Sequence, residues 1–118
     1  MAVRAPPRLV YDDGCGFCTW CAEYADSRGV LELVEFSELT PDQRARLPND
    51  YAECVHLLTD DAVFSCGAAV EETLARLGST ERAAVRLFRL VPEHERLRER
   101  LYHAVAGRRA SLGRFLSR

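Results

Sequence analysis

Residues 9–21 read LVYDDGCGFCTWC, and the interpretation of this stretch decides the fold. Leu9, Val10 and Tyr11 form a short apolar run that ends in Asp12-Asp13-Gly14, the composition of a buried strand leaving into a tight turn. Beyond the turn, Cys18, Cys21, Ala22 and Ala25 recur at helical spacing between Cys15 and Arg28, and Gly29 supplies a stop. Five cysteines scattered over 118 positions would give a Cys-x-x-Cys-x-x-Cys run only about 0.004 times per sequence, so Cys15, Cys18 and Cys21 are read as a motif.

Position gives the motif its chemistry. A thiol at the first turn of a helix faces unpaired N–H groups and the positive end of the helix dipole, both of which stabilise a thiolate. Cys15 occupies that position, and Cys18, one turn on and more buried, suits the resolving partner that closes a disulfide. Gly16 puts no side chain beside Cys15, leaving a path for an incoming sulfur, and Phe17 offers an apolar surface there. Asp12 and Asp13 act in two senses: a carboxylate opposes a neighbouring thiolate, yet it can also accept the resolving thiol's proton. Either carboxylate also fits a turn and capping role.

Outward from this centre, Val30–Phe36 reads as a second strand with Leu31 and Leu33 on one face and Val34 and Phe36 on the other. A strand covered on both faces is expected to be central. Thr40-Pro41-Asp42 starts a short helix that Pro48-Asn49-Asp50 ends. Cys54–Thr59 and Ala62–Ser65, separated by Asp60-Asp61, read as an antiparallel hairpin. Gly67 opens a helix carrying Val70, Leu74 and Leu77, with Gly78 as its cap. Thr80-Glu81 begins another helix, through Leu90. Pro92-Glu93 begins a last one that places Leu97, Leu101, Ala104 and Val105 on one packing face. The predicted order is β-α-β-α-β-β-α followed by two helices. It forms one domain over 1–118, with its core at about 8–78 and a helical extension at about 80–118.

A chain of 118 residues with 47% hydrophobic and 29% charged residues suits one domain. At that length roughly two-thirds of the unfolded surface can be buried, so folding requires neither a disulfide framework nor a structural metal. There is no run of about 18 apolar residues, and residues 1–10 lack a secretory stretch, so a cytoplasmic protein without a membrane partner is expected. A net charge of −2 gives no global attraction to nucleic acid. Arg108, Arg109, Arg114 and Arg118 gather in a stretch without acids; they read as a solvated helix end, with an anion- or RNA-binding tail as the alternative.

The remaining cysteines and histidines read more plainly. Cys21 is taken as core packing, against a second resolving thiol or a metal ligand, and Cys54 and Cys66 are taken as core thiols. A metal centre built on Cys15, Cys18 and Cys21 with Cys54 or Cys66 is the competing reading. The proline-flanked fourth cysteine of an iron–sulfur run and the paired spacing of a zinc site are both missing. His56 reads as a satisfied core or edge residue, and Trp20 with Tyr24 as a packing pair on the first helix.

Strand, Cys-x-x-Cys at a helix start, strand, helix, hairpin and helix is the order of the thioredoxin fold. Tyr11-Asp12-Asp13-Gly14-Cys15-Gly16-Phe17-Cys18 resembles the Tyr-Asp-Gly-x-Cys-x-x-Cys signature of the DCC family of predicted thiol-disulfide oxidoreductases. Leu74-Ala75-Arg76-Leu77-Gly78 resembles that family's third helix. Leu90-Val91-Pro92, Leu101-Tyr102 and Arg109 resemble its C-terminal region. The resemblance implies an α/β thioredoxin-like domain with Cys15 attacking, Cys18 resolving and Asp12 as the family's aspartate. Gly14, Gly16 and Phe17 would form the substrate-facing surface. Dithiol-disulfide exchange of this kind requires no cofactor beyond the Cys15–Cys18 couple. The substrate would be a disulfide-containing protein or a small-thiol compound, with electrons from a thioredoxin- or glutathione-type donor. Two departures stand out: glycine directly precedes Cys15, and Tyr51-Ala52-Glu53 before the third strand lacks the cis-proline of thioredoxins. A redox-inactive interaction domain using the apolar surface around Phe17 and Trp20 is the other alternative.

Overall fold

Arg8–Tyr11 forms the first strand, β1, with Leu9 and Tyr11 on one face and Val10 on the other, as the strand period of two requires. This is a computed structural model, and it describes residues 6–116; Arg118 of the basic cluster and residues 1–5 of the leading segment lie outside the described residues. The helix α1 (Gly16–Arg28) follows, then β2 (Glu32–Glu35), a 3-10 turn at Phe36–Glu38 and α2 (Pro41–Arg46). A second 3-10 turn at Tyr51–Glu53 leads into the hairpin β3 (His56–Leu58) and β4 (Val63–Ser65). Four helices complete the chain: α3 (Gly67–Leu74), α4 (Ser79–Phe88), α5 (His94–Ala106) and α6 (Arg109–Leu116).

The sheet order is β2-β1-β3-β4, with β1 parallel to β2 and antiparallel to β3, and β3 antiparallel to β4. The expected β-α-β-α-β-β-α order is therefore realised as a four-stranded mixed sheet of the thioredoxin-like kind. One sheet face packs Leu9, Tyr11, Leu31 and Leu57 against Ala22 and Ala25 of α1 and Ala69 of α3. The other packs Val10, Val34 and Leu58 against Leu47 just beyond α2. Leu57, Leu58 and Val10 are fully buried, each contributing about 1.5–3 kcal/mol of transfer free energy.

Four expectations need correcting. The second strand is an edge, not the centre, because two apolar faces report cover above and below a strand but not a neighbour on each side. Gly78 is the N-cap of α4 with extended backbone; α3 already ends at Leu74 in a turn tightened by Arg76 N–H to Thr73 and Leu77 N–H to Leu74. The C-terminal extension is three helices rather than two, since the chain turns at Gly107-Arg108. Leu97, Leu101, Ala104 and Val105 on α5 are exposed instead of packed.

Other local readings match. Thr40 caps α2 in a full capping box with Gln43, and Pro41 takes the first helical position. Gly29 ends α1 because of close approach, as a β-carbon there would stand 3.0 Å from the Arg76 carbonyl oxygen. His56 is 1% exposed and satisfied on both ring nitrogens, by Ser65 Oγ at 2.7 Å and the Tyr51 carbonyl at 2.8 Å. Among the described residues, no helix is long and apolar enough to cross a membrane.

Candidate active site

The turn between β1 and α1 is built by its two aspartates. Asp12 Oδ1 accepts the Gly14 N–H at 2.9 Å, while Asp13 accepts the Ser37 hydroxyl at 2.7 Å, tying the turn to the chain beyond β2. Asp13 thus holds the turn in place. Cys15 is the N-cap of α1, in extended conformation, and its sulfur accepts the Cys18 N–H at 3.2 Å. No acidic side chain lies in the first turn, so nothing in the helix itself offsets the pull of its N-terminus on an anion.

Cys18 is half-buried behind Cys15. Burial, then the hydrogen bond and charge of Cys15, push its thiol up to about 12, with the Arg109 guanidinium pulling the other way. Cys21 is half-buried as well. Burial, with a lesser push from Cys15, takes its thiol to about 11. The motif therefore holds one thiol at the helix N-terminus and, behind it, two whose ionisation is opposed by burial.

Residues far away in sequence complete the site. Arg109, at the start of α6, places Nη1 at 4.0 Å from Cys18 Sγ and 3.7 Å from Asp12 Oδ2. It gets there because α6 packs along α1, with Gly113 against Phe17. Sequence reasoning placed Arg109 in a solvated basic end and missed it as a site residue. Two signals were available, the lack of acids around Arg108 and Arg109 and the likeness of Arg109 to the family's C-terminal region, and neither reveals that the helix folds back.

Two concavities meet at the motif. Asp12, Gly14, Cys15 and Gly16 line a cavity of about 420 Å³ with Arg109 and Arg114, so four of the six expected site residues face one opening. Phe17 and Cys18 instead line a longer, mainly apolar groove of about 620 Å³, whose wall also carries Cys21. The expected Trp20–Tyr24 pair is present as a stack at 6.0 Å, which Phe17 extends at 6.5 Å from Trp20. This ladder forms groove wall rather than core.

Cys54 and Cys66, expected as core thiols, are joined by a disulfide of 2.04 Å. The hairpin register explains it, since His56 pairs with Ser65 and the Cys66 N–H donates to the Val55 carbonyl at 3.0 Å, bringing the flanking cysteines together. Both are thus withdrawn as a fourth ligand for a metal on the motif, and no cluster of three or more metal-ligating side chains occurs among the described residues. In place of a proline before β3, the Val55 N–H is held by Tyr102 Oη at 3.1 Å, and no peptide bond is cis among the described residues.

Residues 9–115 match the family model of the DCC1-like thiol-disulfide oxidoreductases, a match that runs from β1 through α6. The chain belongs to that family. No curated protein and no solved structure matches it. The DCC1-like match spans the C-terminal helices as well as the sheet, so α6 and its Arg109 are part of the family's domain and not an appendage to it.

Proposed function

We propose that this protein is a dithiol-disulfide oxidoreductase in which Cys15 attacks and Cys18 resolves. The Cys15 thiolate displaces one sulfur of a substrate disulfide, forming a mixed disulfide and releasing one thiolate. Cys18, once deprotonated, attacks the Cys15 sulfur and releases the second. Two electrons pass to the substrate and the enzyme is left with a Cys15–Cys18 disulfide, which a dithiol or glutathione-type donor reduces. No further cofactor takes part.

The observation that carries this reading is the asymmetry of the pair. Cys15 sits on the helix N-terminus with its sulfur already accepting a backbone N–H, while Cys18 behind it is held as a neutral thiol. Formation of the mixed disulfide removes the negative charge that opposes Cys18 ionisation, so resolution is favoured only after attack. Asp12, paired with Arg109, is the group we assign to take the Cys18 proton.

The test is equilibration of the protein in glutathione buffers of graded potential, followed by mass tagging of free thiols and peptide mapping. One two-thiol transition confined to Cys15 and Cys18 is expected, and it disappears in Cys15→Ser. Independent titration of the two thiols, or Cys15→Ser retaining full disulfide-reducing activity, overturns the assignment.

A further inference from the structure

The cavity at Cys15 has a chemical bias that the redox reading alone does not require. Its volume of about 420 Å³ is in the range of small-molecule sites, and its walls at Gly14, Gly16, Ala110 and Gly113 carry almost no side-chain bulk. Two guanidinium side chains, Arg109 and Arg114, share this opening with the one thiol presented for attack. Asp12 is the single acidic residue in the lining, and it is occupied by Arg109 at 3.7 Å and by the Gly14 N–H. Arg114 forms no ion pair among the described residues and is exposed. Asp13, the other nearby acid, is turned away onto Ser37.

We propose that this cavity binds low-molecular-weight disulfides bearing carboxylates, with Arg114 as the residue that selects for their negative charge. The inference rests on the redox reading above and narrows its substrate class from disulfides in general to small anionic ones. A carboxylate placed against Arg114 brings the S–S bond of such a molecule over Cys15. Attack forms the Cys15–substrate bond, breaks the S–S bond and releases one anionic thiolate. Cys18 then attacks Cys15 Sγ, the second thiolate leaves, and the two electrons lost by the Cys15/Cys18 dithiol reside on the two released thiols. Dithiothreitol serves as the dithiol reductant in the assay. An apolar protein segment would be expected to use the longer groove along Phe17, Trp20 and Tyr24 and would gain nothing from Arg114.

The experiment compares kcat/KM for three small disulfides: oxidised glutathione, which is anionic, bis(2-hydroxyethyl) disulfide, which is neutral, and cystamine, which is cationic. The expected order is anionic over neutral over cationic. Arg114→Glu should lower the ratio of the anionic to the neutral rate by about fivefold or more, with Arg114→Lys retaining most of that ratio. The preference should also shrink as salt rises. Equal rates for all three, or an Arg114→Glu effect that is the same on each, overturns the inference while leaving the dithiol mechanism standing. Absence of Cys15-dependent turnover on all three overturns the inference, and the redox reading falls with it only if the two-thiol transition of Cys15 and Cys18 in glutathione buffers is absent as well.

Discussion

Arg109 Nη1 stands 4.0 Å from Cys18 Sγ, a contact between residues 91 positions apart. It places a fixed positive charge behind the thiol that must lose a proton for the mixed disulfide to be resolved. Removing it leaves burial as the dominant influence on Cys18 and frees Asp12 from its partner. Arg109→Ala is expected to slow release of a preformed mixed disulfide by about two- to fivefold, the modest size appropriate to a partly exposed charge. The step is unimolecular, so intact-mass analysis of a Cys15 adduct with a neutral thiol separates it from substrate binding. An unchanged lifetime in Arg109→Ala would mean that the guanidinium does not assist resolution.

Cys18 and Cys21 give the reduced protein an alkaline weakness. Both thiols are pushed above their ordinary value of 9.0, to about 12 and about 11, so the folded state keeps protons that the unfolded chain has lost. Stability from these groups is therefore fully present below about pH 9 and declines as pH rises toward 12. Oxidation of Cys15 with Cys18 removes the larger of the two effects. Urea midpoints measured from pH 8 to 10.5 are expected to fall more steeply for the reduced than for the oxidised protein. In the same range iodoacetamide should modify Cys15 well before Cys18 or Cys21.

His56 works in the opposite pH direction. Burial pushes its ionisation below the ordinary 6.5, partly offset by the Tyr51 carbonyl, so it is held neutral between Tyr51 and Ser65. As pH falls, the unfolded chain takes up this proton first. The contribution is complete above about pH 6.5 and is lost below it. Unfolding free energies of the wild type should decline between pH 7 and 5. His56→Gln, though less stable overall, should show a shallower slope there. Equal slopes would place the acid sensitivity elsewhere.

Legibility in the sequence followed physical range. The β1 turn, Cys15 at the start of α1, the Thr40 cap with Pro41 and the hairpin around Asp60-Asp61 are set by neighbours a few residues apart, and all four were readable. The lateral place of β2 was not, because a strand's two faces carry no record of which strands lie beside it. Arg109 was hidden for the same reason: the charge was visible, but the packing of α6 on α1 depends on tertiary contacts such as Gly113 against Phe17. Cys54 and Cys66 are an intermediate case. Registering the expected hairpin about its turn sets Cys66 opposite Val55, beside Cys54, so the disulfide was within reach of a pairing argument.

That disulfide carries a stability prediction of its own. Cys66 has φ 57 and ψ −128, a conformation that favours glycine and costs a side-chain-bearing residue of order 1–3 kcal/mol. The surrounding bonds hold it there: the Cys66 N–H donates to Val55, and the next residue, Gly67, donates to Glu99 Oε1 at 3.0 Å. Closing a loop of sequence separation 12 is worth about 3 kcal/mol in the chain-entropy account. Cys54→Ala/Cys66→Ala should therefore lose about 2–3 kcal/mol in urea unfolding. Cys54→Ala/Cys66→Gly should be more stable than that pair by about 1 kcal/mol, because glycine accepts the backbone angle that alanine does not. If the glycine variant were the less stable of the two, the Cys66 backbone would relax once the bond is gone, and the disulfide itself would be what maintains the positive φ. In a reducing cytoplasm such a bond is uncommon, so mass tagging of Cys54 and Cys66 in intact cells would also report which compartment the protein occupies.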